Sequence, residues 1–424
     1  MTNNEFKQAL LRGQGRCILA AKETPEKFYS EVLWACANEV AYDAQCEGTR
    51  SLFVYEIINC FEDKTPFLNA VISAFKVAES DGRWLNLYLA ELLGFFADDG
   101  YEEALPALWG KYNELYTYLL NTEEAPEGVF PERDDFEHIA LVLSDRKNYF
   151  FKIAEDIGRL YTEKPFLKGY FDWLWLSKGK RCIRRLEKLS EKSAYISEYL
   201  RASLEEEREF KSSLENRTEA EISLQMRIKR GISAALSQAV QNYLSQTDDL
   251  ERAKALKNFH FGTYPDNPAP ILKDAESENE ELRRAALDAL EEIRHPLVRE
   301  YALNNLEKDL QHVLPIFIKN YIPADASVLV EKVKSIPVDF DNATGWHRIF
   351  SALLNMVDDG LKVPAELLYY IYENNYCSNC RWSTLRQMRR RRLLTDEILN
   401  ECLYDHNDDI RRLAAKKGKT VNKY

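Results

Sequence analysis

Residues Ser277–Leu306 read SENEELRRAALDALEEIRHPLVREYALNNL, and one pattern is written in them twice. Leu282-Arg283-x-x-Ala286-Leu287-x-x-Leu290 returns sixteen residues later as Val298-Arg299-x-x-Ala302-Leu303-x-x-Leu306. The apolar positions fall at i, i+4, i+5 and i+8, one stripe of a 3.6-residue helix. A small alanine stands inside each stripe, where a neighbouring helix can approach closely. Glu278, Glu280 and Glu281 surround the first helix start, where the helix dipole favours negative charge. His295-Pro296 interrupts the chain and restarts it, since proline is tolerated in a first turn. The stretch therefore predicts two short amphipathic helices, with Ala286 and Ala302 buried at helix–helix contacts. A third copy begins near the C-terminus as Ile410-Arg411-x-x-Ala414, preceded by Asp408-Asp409.

This writing resembles the HEAT repeat family, whose repeats are helix pairs of roughly 40 residues. In that family an acidic turn precedes a helix carrying apolar-Arg-x-x-Ala. The resemblance is carried by Ser277–Leu306 and Asp405–Lys416 and is architectural elsewhere. The sixteen-residue offset is half a repeat, so adjacent helices share the pattern. What the resemblance implies is an all-α chain built as an α-solenoid of stacked helix pairs. It specifies no ligand.

The bulk composition agrees with that class. The 424 residues are 45% hydrophobic and 12% aromatic, enough to bury a core and unlike a disordered chain. A net charge of −12 opposes wholesale wrapping of nucleic acid or of an anionic membrane, although a local basic face could survive it. No apolar run is long enough to span a bilayer, and the polar Met1–Glu5 start is no signal peptide. Eight scattered cysteines in such a chain read as reduced thiols of a cytoplasmic protein.

Helix signals continue along the whole chain. Thr24-Pro25 and Thr65-Pro66 are 41 residues apart, and each reads as a threonine cap followed by a first-turn proline. Gly13-Gln14-Gly15 reads as a kink or a close helix contact, because no strand precedes it and no phosphate-loop lysine follows. Trp84, Leu87, Leu89, Leu92, Leu93 and Phe96 predict a helix buried on most sides. Thr122–Asp135 is an acidic linker, and Pro165–Leu176 an aromatic-rich segment. Three segments are expected: an N-terminal helical-repeat array over 1–192, long charged helices over 193–257, and a C-terminal HEAT-like array over 258–424. The last boundary rests on the proline-rich Asn258–Ile271.

Catalytic signatures are missing from the sequence. Doubled aspartates at 98–99, 134–135, 248–249, 358–359 and 408–409 sit where helices start or stop and read as caps. The histidines show no metalloprotease spacing, and neither a Walker loop nor a nucleophile elbow occurs. Two features stand out from this background. Arg381, Arg386, Arg389, Arg390, Arg391 and Arg392 share a segment without carboxylates, a basic patch suited to phosphate or to an acidic partner. Cys377-x-x-Cys380 followed by Cys402-x-x-x-His406 has a spacing compatible with a structural Cys₃His zinc site. The competing reading of that quartet is core thiols and a turn histidine.

The preferred function is a non-enzymatic scaffold that holds another protein or a peptide on a concave solenoid face, with no catalytic residue and no cofactor beyond that zinc. Two alternatives stand beside it. One is nucleic-acid binding, with glycosylase-like HEAT proteins as a fold-level analogy. The other is an acidic immunity or inhibitor protein covering a basic partner.

Overall fold

The computed structural model describes residues 1–81, 84–124, 130–167, 180–205, 208, 240–257, 267–341, 343–358 and 361–416. All regular structure among them is helical, so the chain is all-α. No helix among them is long and apolar enough to cross a membrane. Most of the expected long charged element at 193–257 lies outside the described residues. So do Tyr170, Phe171, Trp173 and Trp175 of the aromatic segment, and most of the 258–271 linker.

The chain divides into two compact units, Met1–Arg217 with Leu399–Tyr424, and Thr218–Ile398. This differs from the expected boundaries, because the C-terminal residues join the N-terminal unit and leave the array that precedes them. The physical reason is in Gly13-Gln14-Gly15. Gly13 ends the Asn3–Arg12 helix in the left-handed region (φ 66°) and accepts a 2.9 Å bond from the His406 amide at its carbonyl. A Cβ on Gly15 would lie 2.1 Å from the Glu401 carbonyl oxygen and 2.7 Å from the Tyr404 carbonyl carbon. Only a residue without a side chain lets the two backbones meet there. Arg16 adds a bond to Glu401 (Nε–Oε1 2.9 Å).

In the first unit the helices from Ser51–Ile58 to Lys147–Glu163 pack in two layers. Ser51–Ile58, Leu85–Asp98 and Pro131–Ser144 follow one another in one layer, while Thr65–Val77, Ala104–Asn121 and Lys147–Glu163 form the other. The Leu85–Asp98 helix is buried on most sides as expected, with Tyr88, Leu89, Leu92, Leu93 and Phe96 wholly inaccessible. Two local expectations shift. Thr65 already lies inside its helix, and Asp63 Oδ1 accepts from its amide at 2.9 Å in place of a threonine cap. Asp135 is buried within the Pro131–Ser144 helix and caps nothing; it accepts from Ser80 Oγ (2.6 Å) and Asn86 Nδ2 (2.7 Å), tying this helix to the Leu85–Asp98 helix and the turn before it.

The second unit repeats the next-but-one packing. Glu280–Leu290 packs on Leu310–Lys319, which packs on Ala343–Asp358, which packs on Ser378–Arg390. The quoted stretch forms the two expected helices, Glu280–Leu290 and Pro296–Asn305. Ala286 and Ala302 are fully buried, as their places in the stripe require.

Candidate functional site

A cavity of about 580 Å³ lies in the first unit. It begins from a strained turn. Asp43 caps the short Ala44–Glu47 helix, Gly48 leaves it at φ 80°, and Arg50 follows at φ 63°. A left-handed non-glycine residue costs on the order of 1–2 kcal/mol, so its surroundings must hold it. They do so through the guanidinium. Arg50 Nη2 pairs with Glu47 Oε2 at 2.8 Å with both side chains buried, and Nη1 donates to the Val40 (3.1 Å) and Leu11 carbonyls. Charge and hydrogen bonds together offset the desolvation of the buried cation.

That anchored turn aims Thr49 and Ser51 across the layer. Both hydroxyls donate to one carboxylate oxygen, Glu91 Oε2, on the Leu85–Asp98 helix, Ser51 at 2.6 Å. The opposite wall is built by Arg146, just past the Pro131–Ser144 helix. Its Nη2 donates to Asp98 Oδ1 (2.8 Å) and the Gly94 carbonyl (2.5 Å), and its Nη1 to the Val142 carbonyl (2.6 Å). His138 lies on the same helix with its ring 5.3 Å from that of Trp84, and burial lowers its pKa, so it is neutral at neutral pH. His406 closes one edge. Its Nε2 is 2.9 Å from the Glu47 carbonyl, which can only accept, so Nε2 carries the hydrogen. Leu87, Phe95, Leu141 and Val142 give the cavity an apolar wall beside this polar floor. The mixture of a mostly apolar lining and a few fixed polar groups, at this volume, is that of a site for a small ligand or an inserted side chain.

The residues singled out from sequence are placed differently from one another. Cys377 and Cys380 lie together in the second unit, and the third possible ligand beside them is His347. Cys402 and His406 belong to the first unit, where Cys402 is fully buried and His406 engages Glu47. The expected quartet is thus split between the units, and its first half acquires a partner from another helix. Arg381 also departs from expectation. It is fully buried, donating from Nη1 to the Asn375 carbonyl (3.4 Å), because its place on the inward face of Ser378–Arg390 overrides its charge. Arg386, Arg389, Arg390, Arg391 and Arg392 are exposed. None of the five forms an ion pair among the described residues; Arg386 stacks on Trp382 (4.7 Å) and Arg391 donates to the Val363 carbonyl.

No protein-family model matches the chain, and no curated protein is detectably similar to it.

Sequence reading missed Glu47, Arg50, Glu91, His138 and His347. A signal was present in Glu47-Gly48-Thr49-Arg50, a glycine between charges at a helix start. The partners of that turn lie about forty residues away, at Glu91 and Leu11, and no local spacing reveals them.

Proposed function

We propose that the protein is a non-enzymatic scaffold of HEAT-like helix pairs, an α-solenoid that holds a segment of another protein with the first-unit cavity as its anchor pocket. The cavity carries this reading. Its helical walls come from one layer of next-but-one helices, the face that a stacked array offers to a partner. Its volume suits one or two inserted side chains. The apolar wall accepts a long stem, and Glu91 accepts a donor or cation at its end. A lysine, arginine or tyrosine anchor fits both demands. The net charge of −12 steers a basic partner toward the protein.

The test is affinity capture from the native cell with the wild type and with Leu141→Trp, which fills the cavity from a half-exposed wall position. A protein recovered with the wild type and lost with the variant is the expected result. Equal recovery from both would remove the pocket from the interface.

A second reading, nucleic-acid binding, is favoured by the five exposed arginines, which form no ion pair among the described residues. A gel-shift titration in salt decides it, because phosphate contacts are strongest at low salt. No shift at the lowest salt disposes of it.

A further inference from the structure

The Cys377-x-x-Cys380 pair is presented by a helix start. Cys377 is the N-cap of Ser378–Arg390 and Cys380 lies one turn inside it, so the two thiols share a face. Asn375, fully buried, fixes the approach by accepting from the Cys377 amide at 2.9 Å. The Ala343–Asp358 helix packs against this one and brings His347 to the pair. Cys380 Sγ lies 4.0 Å from His347 Nδ1 and 4.0 Å from Ser351 Oγ, one turn beyond that histidine. One ligand atom from each of His347, Cys377 and Cys380 can be chosen so that all lie within 4.8 Å of one another.

We propose that His347, Cys377 and Cys380 bind one zinc ion, with the fourth coordination position turned toward the cavity beside Ser351. In a tetrahedral site with Zn–S of ~2.3 Å, neighbouring sulfurs stand ~3.8 Å apart, so small side-chain rotations bring these three onto the metal. Two thiolates and a neutral imidazole form a soft donor set that suits zinc over magnesium or calcium. Three protein ligands leave a position open, unlike the closed four-ligand staple expected from the sequence. His347 and Ser351 both line a cavity of about 310 Å³, so water or an oxygen, nitrogen or sulfur donor can reach that position. Glu291 and Arg348 line the same cavity and pair with each other, which leaves the metal as its Lewis-acidic group.

The full-length chain, purified reduced and without chelator, is the sample, and elemental analysis is the first measurement. About one equivalent of zinc is expected. Exchange with cobalt should give intense visible bands of a tetrahedral site and a near-ultraviolet thiolate band, which a folded protein without this site cannot produce. Cys377→Ser, Cys380→Ser and His347→Ala should each weaken cobalt binding by more than ~100-fold, whereas Cys402→Ser should leave it intact. Because the cobalt spectrum is read on the wild type, the proposal stays testable if a variant misfolds. Reduced wild-type protein that takes up neither zinc nor cobalt overturns it, and so does a Cys377–Cys380 disulfide that yields no metal binding after reduction. Loss of the cobalt bands in Cys402→Ser, as complete as in Cys377→Ser, would overturn the three-ligand set.

Discussion

The turn before Glu280–Leu290, in the second unit, and the turn before Asp408–Ala415, in the first, are built on the same hydrogen-bond plan. Ser277 Oγ accepts from the Asn279 amide (3.1 Å), and Asp405 Oδ1 accepts from the Asn407 amide (2.9 Å). Asn279 Oδ1 then caps Glu281 and Leu282, as Asn407 Oδ1 caps Asp409 and Ile410. The arginine of the motif reaches back six residues in both, Arg283 Nη1 to the Ser277 carbonyl (2.9 Å) and Arg411 Nη1 to the Asp405 carbonyl (2.6 Å). The difference lies in what covers the turn. Ser277 is half-buried, whereas Asp405 is 1% exposed, under the close approach of Gly13 and Gly15. In these two copies the motif thus writes a capped, arginine-clamped turn, whereas in the copy at Val298 the cap is His295 and Arg299 pairs with Asp325. A different part of the chain decides whether that turn stays at the surface or is docked.

The strongest way to break this comparison is at the docking surface. Gly15→Ala places a methyl 2.1 Å from the Glu401 carbonyl oxygen and should destabilise the first unit by more than ~3 kcal/mol, with the second unit unaffected. Urea unfolding followed by hydrogen exchange separates the units. Gly110→Ala, with nothing within 4 Å of its Cβ, is the control and should stabilise by about 0.5–1 kcal/mol. Equal effects at the two glycines would mean that the C-terminal turn does not dock on Gly15.

Next come the buried alanines. Ala286→Leu and Ala302→Leu should each overpack the second unit by about 1–3 kcal/mol, and Ala414→Leu the first by a similar amount. Unchanged unfolding midpoints in all three would show the stripe to be misplaced. The caps sharpen the comparison further. Asn279→Ala should cost about 1 kcal/mol, and Asn407→Ala more, since the same lost bonds then leave amides beside a buried turn. A larger loss at Asn279 would contradict the role given to docking.

The last effect is pH-linked, and each unit carries a carboxyl that burial raises to about 7. Burial pushes the Glu137 carboxyl of the first unit, and the Glu291 carboxyl of the second, up to about 7, outweighing the neighbouring Arg133 and Arg348. A folded carboxyl that holds its proton more tightly than the unfolded chain adds stability below the unfolded value of about 4.3 and loses it as pH rises through about 7. Stability of both units should therefore fall between about pH 4 and pH 7. Glu137→Gln should flatten the fall in the first unit alone, and Glu291→Gln in the second alone. A variant with the wild-type slope would show that its carboxyl ionises at the ordinary value.

Much of this was written locally. Apolar steps of three and four residues determine the helices, because a helix buries one face and the stripe repeats at its own period. The alanines within those stripes mark where helices touch, and Asn279 and Asp248 cap the amides immediately after them. The glycine pair at 13 and 15 signalled a close contact without naming the partner.

Other features exist only after folding. Arg381 and Arg386 look equivalent in sequence, yet the phase of one helix buries the first and exposes the second. His347 has no metal-ligand neighbour in sequence, and it meets Cys377 and Cys380 because two helices pack side by side. Cys402 and His406 stand at a suggestive spacing from those cysteines, but the chain enters the other unit before reaching them. Local periodicity sets which residues face inward, since it depends only on neighbours three or four positions away. Which inward faces meet depends on contacts across tens to hundreds of residues, and only the tertiary structure decides that.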